Sequence, residues 1–283
     1  MSRVTRPRRG GGHARRPRQP LRRHIGAGLL SRGRLLAVFG FAVLVAGAVT
    51  LINGPWLRVS SVAHAGARYT PAIQLDGIMA AYQGTPLLTV DSEELRQQIA
   101  ALPAVAGARV EAALPGSLRV SVTEKPAAFL WRTPLAQLVV AADGTLMASL
   151  AANATLPAEL RRLPAVYDSR YASRYMALGE ALPSADMRVA ARLVDMDPEI
   201  IGSRTSRLEV SIGDRYGFTV SAPVPDWEAA LGFYELDPSD DRATADARLE
   251  AQLGAIRTLF AQRPESGVSW MDVRNPGKVY WTP

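Results

Sequence analysis

The chain has 283 residues, 48% of them hydrophobic, with a formal net charge of +7 and no cysteine. That length accommodates one or two folded domains, and the absence of thiols excludes a disulfide framework and thiolate metal sites. Residues 1–34 carry eleven arginines and no acid, which leaves residues 35–283 at −4, so the high pI reports one tail and says nothing of a nucleic-acid-binding domain.

In chain order, residues 1–34 are rich in Arg, Pro and Gly and have almost nothing to bury. Such a segment cannot offset its ordering entropy, which predicts a disordered basic tail. Leu35–Ile52 is an uncharged apolar run of about 27 Å in helical form, close to the thickness of a bilayer core. This predicts a transmembrane helix over 35–53. Arg22, Arg23, Arg32 and Arg34 crowd its N-terminal side against Arg58 alone beyond it, so the positive-inside rule puts the tail in the cytoplasm. Ala46-Gly47-Ala48 has the small-x-small form of a signal-peptide cleavage site. Against cleavage, more than thirty residues precede it and the apolar run continues through Val49, Leu51 and Ile52, which favours a retained anchor. Asn53-Gly54-Pro55 ends the helix, and Trp56 suits an interfacial belt.

Residues 57–127 read as a small α+β domain. A short strand at 59–62 leads to a turn at Gly66. Thr70 before Pro71 predicts a capped helix that buries Leu75, Ile78, Met79 and Tyr82. Residues 85–90 are an extended connection, and Asp91 with Glu94 predicts a capping box for a second helix with Leu95, Ile99 and Leu102 inward. Ala108, Val110 and Ala112, then Leu118, Val120 and Val122, alternate as two strands around Leu114-Pro115-Gly116-Ser117.

Residues 128–283 open with Phe129-Leu130-Trp131 and a hairpin from Leu138-Val139-Val140 through Asp143-Gly144 to Leu146-Met147. Residues 150–182 are ambiguous. A helix follows from Ser184, with Met187, Ala190, Ala191 and Val194 on its inner face, then a second hairpin around Gly213-Asp214. Trp227, Leu231 and Tyr234 repeat at helical spacing. After the acidic loop DPSDDRATAD, the strongest helix runs from Ala243 to Gln262 with Leu249, Leu253, Ile256 and Phe260 as its buried stripe. Strands at 268–273 and 278–281, joined by Asn275-Pro276-Gly277, close the chain.

The chemistry-bearing residues argue against catalysis. His64 is the one histidine outside the tail, and no nucleotide, zinc-protease or hydrolase motif follows the apolar run. Asp195, Asp197 and Glu199 fit a solvated helix end. Asp237, Asp240, Asp241 and Asp246 lack the spacing of a calcium loop. No cofactor or metal is expected. The terminal strand, Lys278-Val279-Tyr280-Trp281, has two readings: an edge that accepts a partner strand, or a strand whose aromatics merely cover the core.

Four motifs in order carry a resemblance: Val62 to Gly66, Gly84 to Asp91 (GTPLLTVD), Leu102 to Val110, and Leu114 to Ala128 (LPGSLRVSVTEKPAA). Together they resemble a POTRA domain and, directly after a single span, the FtsQ/DivIB family of bacterial cell-division proteins. Met271-Asp272-Val273-Arg274 is similar to that family's closing Asp-x-Arg pattern. The resemblance implies a single transmembrane helix plus extracytoplasmic α+β structure: a POTRA-type β-α-α-β-β domain, then a mixed, mostly antiparallel β domain with packed helices. It implies a non-enzymatic scaffold in the cytoplasmic membrane at the division septum, binding FtsB/FtsL-type partners by strand addition. Arg274, Asn275, Val279, Tyr280 and Trp281 match the tail of that binding region. The alternative is a POTRA-containing envelope chaperone or secretion-accessory protein.

Overall fold

The computed structural model describes residues 32–234 and 242–283. The expected disorder of the tail therefore lies outside the described residues for positions 1–31, as does the first half of the expected acidic loop, at 237–241; its second half, 242–246, instead opens the helix Arg242–Gln262. The chain falls into two units, residues 1–50 and 51–283.

The first unit contains nearly all of α1 (Arg32–Asn53), in which Gly33–Thr50 is long and apolar enough to cross a membrane. Every side chain over that stretch is exposed, which suits lipid and would be costly in water. Its single hydroxyl, on Thr50, donates to the Ala46 carbonyl at 2.8 Å and so needs no water.

In the second unit, the first domain is built from β1 (Ser61–Ala65), α2 (Ala72–Ala80), α3 (Ser92–Ala100), β2 (Val105–Ala113) and β3 (Ser117–Glu124), in the β-α-α-β-β order expected. Strand β3 lies in the middle, parallel to β1 and antiparallel to β2. Leu75 and Met79 of α2 and Leu95 and Ile99 of α3 close over Leu118, Val120 and Val122 of β3. Each large side chain so buried contributes about 1.5–3 kcal/mol. Asp91 caps α3, accepting from the amides of Glu93 and Glu94 at 3.0 Å, while the Glu94 carboxylate turns to Gln98.

Three expectations shift here. The first strand begins at Ser61, because Val59 instead pairs with the connection at Gly84 and Thr85. That connection contains a 3₁₀ turn, Leu87–Thr89. Thr70 does not cap α2; Pro71 holds the cap position, and the Thr70 hydroxyl is buried without a partner. The cause is Glu124, whose carboxylate accepts from the amides of Arg68, Tyr69 and Thr70 and pulls that segment toward β3.

The β-rich domain contains β4 (Ala127–Arg132), β5 (Ala136–Ala141), β6 (Leu146–Ala151), β7 (Ala165–Asp168), α4 (Ser184–Val194), β8 (Glu209–Gly213), β9 (Gly217–Pro223), β10 (Asp226–Gly232), α5 (Arg242–Gln262), β11 (Trp270–Asp272) and β12 (Tyr280–Thr282). They form one sheet in the order β12-β11-β10-β9-β8-β7-β4-β5-β6. Pairings β4–β7, β7–β8 and β10–β11 are parallel and the other neighbours antiparallel. Helices α4 and α5 are the crossovers of two parallel steps and bury their stripes on the same core. The stripe of α4 is Ala185, Val189, Ala190 and Leu193, rotated from the expected one. The ambiguous stretch holds β7, which Arg170 ties to α4 by bonding both Asp168 (2.8 Å) and Asp186 (2.7 Å).

The helical spacing of Trp227, Leu231 and Tyr234 is overturned. Residues 226–232 form β10, an interior strand between β9 and β11. Ala229 to Gly232 are all buried, so both faces are covered and the alternation that would mark a strand is erased.

The two sheets meet at a small apolar cluster, where Tyr69 and Ala104 pack with Leu130, Val139, Ala141 and Leu160. Lys125 spans the junction, donating to Asp143 and Thr145 at 2.9 Å, and Arg68 pairs with Glu159.

A candidate partner-binding edge

Strand β12 is the first strand of the nine-stranded sheet, with β11 on one side and no further strand on the other among the described residues. Its register is Trp270 with Thr282, Met271 with Trp281, and Asp272 with Tyr280. Both terminal strands are shorter than expected, because the turn region takes residues 273–279.

The edge is built from the core outward. Met271 and Val273 face inward against the stripe of α5. Gln252 of α5, itself buried, donates to the carbonyls of Leu231 (2.8 Å) and Val273 (3.2 Å), bridging the ends of β10 and β11. Its amide oxygen accepts from the Tyr234 hydroxyl at 2.5 Å. Burial holds that phenol above its ordinary pKa, so it stays a donor.

On the opposite face Asp272 and Arg274 sit two residues apart and therefore side by side. The Arg274 Nε donates to both Asp272 oxygens (2.9 and 3.1 Å) and its Nη2 to Oδ2 at 2.6 Å. These bonds, led by the guanidinium, hold the Asp272 carboxyl below the usual carboxylate range. The Asp-x-Arg spacing is thus a fork matched to a carboxylate on one strand face. Arg274 also lies 5.2 Å from the Tyr216 ring centroid, with Arg215 at 4.9 Å and Trp270 at 5.7 Å from the same ring. Gly232 lets Arg274 come this close: its φ is +95°, and a Cβ there would lie 3.3 Å from the Arg274 side chain.

Asn275 opens the turn, its carbonyl accepting from the Lys278 amide at 3.1 Å, and Gly277 sits at φ +72° where a side chain would be strained. Val279 and Trp281 then pack against the core, with the Arg263 guanidinium 4.4 Å from the Trp281 ring centroid. Tyr280 points the other way and is 50% exposed. The strand thus divides by alternate residues: Trp281 covers the core, while Tyr280 and the unpaired side of β12 face outward.

Of the residues proposed from sequence, Arg274, Val279, Tyr280 and Trp281 come together on or beside this edge, and Asn275 sits at the turn. Sequence reasoning missed Tyr216, Trp270, Arg263 and Gln252. A signal existed for Gln252, a polar residue inside the apolar stripe between Leu249 and Leu253. None existed for Tyr216, which lies in a hairpin turn 58 positions before Arg274. Elsewhere, Asp197 caps the short turn Pro198–Ile201, and His64 lies 3.2 Å from Asp76. Each already has a local structural partner.

Residues 57–125 match the family described as POTRA domain, FtsQ-type. No curated protein matches the chain in sequence.

Proposed function

We propose that this chain is a member of the FtsQ/DivIB family and a non-enzymatic scaffold of the division machinery, a reading supported by the match of residues 57–125 to the FtsQ-type POTRA domain directly after an apolar helix long enough to cross a membrane. In this reading α1 anchors the protein in the cytoplasmic membrane with its basic tail inside, and both folded domains are extracytoplasmic. At the septum it recruits and holds FtsB/FtsL-type partners and links them to septal peptidoglycan synthesis. The partner adds a strand to β12, with Tyr280 as an outward anchor and Arg274, Asn275, Val279 and Trp281 shaping the edge.

The observation that carries this reading is the free side of β12 at the end of the sheet, with a half-exposed tyrosine on it. Co-purification of the full chain with an FtsB homologue tests it. Tyr280→Lys abolishes or strongly weakens recovery if β12 is the interface, whereas undiminished recovery removes this strand from it.

A second reading has its own observation. Strand β2 is likewise an edge of the POTRA sheet, with Ala112 and Ala113 exposed, and could receive an extended segment of an unfolded envelope protein. Depletion separates the two: filamentous cells support the division scaffold, and envelope-assembly defects without filamentation support a chaperone or secretion accessory.

A further inference from the structure

Four strands from β12, about 19 Å at about 4.8 Å per strand, a cleft of about 440 Å³ opens beside the N-terminal ends of β7 and β8. Its apolar floor includes Leu163, Pro164, Val194 and Leu208. Four arginines rim it: Arg132, Arg161, Arg162 and Arg207. Two carboxylates, Asp195 and Glu209, share the rim, and Glu209 is already paired with Arg207 at 2.8 Å.

Arg132 is the informative residue. It ends β4 directly beside Tyr167 of β7, and its Nη1 donates to the Tyr167 hydroxyl at 2.8 Å. The guanidinium carbon stands 5.2 Å from the same ring. Its Nε, however, is buried and has no acceptor, and no carboxylate within the described residues pairs with the group. Among the described residues, this half-buried guanidinium has a neutral phenol as its one polar partner and lacks the acceptor its fork geometry suits. Arg161 and Arg162, exposed on the 3₁₀ turn Leu160–Arg162, also have no carboxylate partner among the described residues.

We propose that this cleft is a second docking site, for an acidic peptide segment of a partner protein that presents an aliphatic residue beside its carboxylates. Charge complementarity selects the acid: four guanidinium groups against two carboxylates leave a net excess of positive charge. The apolar floor selects a peptide over a bare phosphate, which would leave Leu163, Val194 and Leu208 uncovered. One carboxylate pairs with the cleft-facing side of the Arg132 guanidinium, and Arg161 and Arg162 steer and hold the remaining charge. The site does not depend on β12, so its occupant can be bound together with a strand-adding partner.

The test is fluorescence anisotropy with the full chain in detergent micelles and a labelled peptide of alternating Glu and Leu, in parallel with a Lys–Leu peptide of equal length. Binding of the acidic peptide alone, weakened at least tenfold by Arg161→Glu with Arg162→Glu and at least threefold by Arg132→Lys, is the expected result. The exposed pair can be reversed without disturbing the core, and an unchanged unfolding temperature verifies this. Equal affinity of the wild type and the charge-reversed pair overturns the proposal. So does displacement of the peptide by inorganic phosphate or by phosphatidylglycerol vesicles at lower concentrations than by unlabelled peptide, which would assign the cleft to a phosphate or lipid headgroup. Loss of β12-dependent co-purification leaves this result unaffected, so the two sites fail separately.

Discussion

Asp272 and Arg274 lock to each other across one residue, with both carboxylate oxygens engaged by one guanidinium at 2.6–3.1 Å. The pair stiffens the outer face of β11 immediately before the chain turns into β12. Asp272→Ala removes the acceptor and leaves Arg274 free to swing over Tyr216, at an expected loss of about 1–2 kcal/mol. The pH dependence follows from the depressed carboxyl. Its stabilisation is fully present above the unfolded Asp value of about 3.9 and is lost as pH falls through the lower folded value. Acid titration of unfolding, wild type against Asp272→Ala, should show the wild type losing its advantage below about pH 4.

Gln252→Leu is the second expected weakness. It preserves volume on α5 but takes a donor from the carbonyls of Leu231 and Val273 and an acceptor from the Tyr234 hydroxyl. Buried polar groups left unpaired cost about 1–3 kcal/mol each, partly relieved by relaxation, so a fall in melting temperature of roughly 5–10 °C is expected. Hydrogen exchange should show the loss concentrated in β10, β11 and β12.

Glu124→Ala should act at the other end of the molecule. Three consecutive amides, at Arg68, Tyr69 and Thr70, lose their shared acceptor. The expected cost is about 2–4 kcal/mol, with Glu124→Gln intermediate because one oxygen remains to accept. Faster exchange at those three amides identifies the cause.

Leu44→Arg tests the anchor. A charge near the middle of the apolar helix costs about 2.5–3.5 kcal/mol of insertion free energy. Leu44 and its neighbours Val43 and Val45 are all exposed, so α1 offers no packed side chains to shield the charge. Fractionation should show less protein in the membrane pellet and more in the soluble or degraded fractions.

Much of the fold was legible because its signals are local. The apolar run, the Asp91 cap, the Asp143-Gly144 hairpin and the stripe of α5 each need only neighbours in sequence. What was not legible depends on distant partners. Thr70 reads as a cap until Glu124, 54 residues on, takes its amide. Trp227 and Leu231 read as helical because β10 is covered on both faces and has no wet side to reveal its period. At the candidate edge, the strand and its Asp-x-Arg neighbour could be read directly. The Tyr216 aromatic–arginine cluster could not, since it exists only once the β8–β9 turn is folded beside Arg274.

Glu124 and Lys125 are consecutive, yet they grip opposite sides of the junction: one clamps amides 68–70, the other reaches Asp143 and Thr145 in the turn between β5 and β6. Only Lys125 and Pro126 separate β3 from β4. The connection between the two sheets therefore has no slack segment, and the side chains on either side of it each hold one domain. Two glycines inserted after Lys125 would lengthen it and loosen the hold of one sheet on the other.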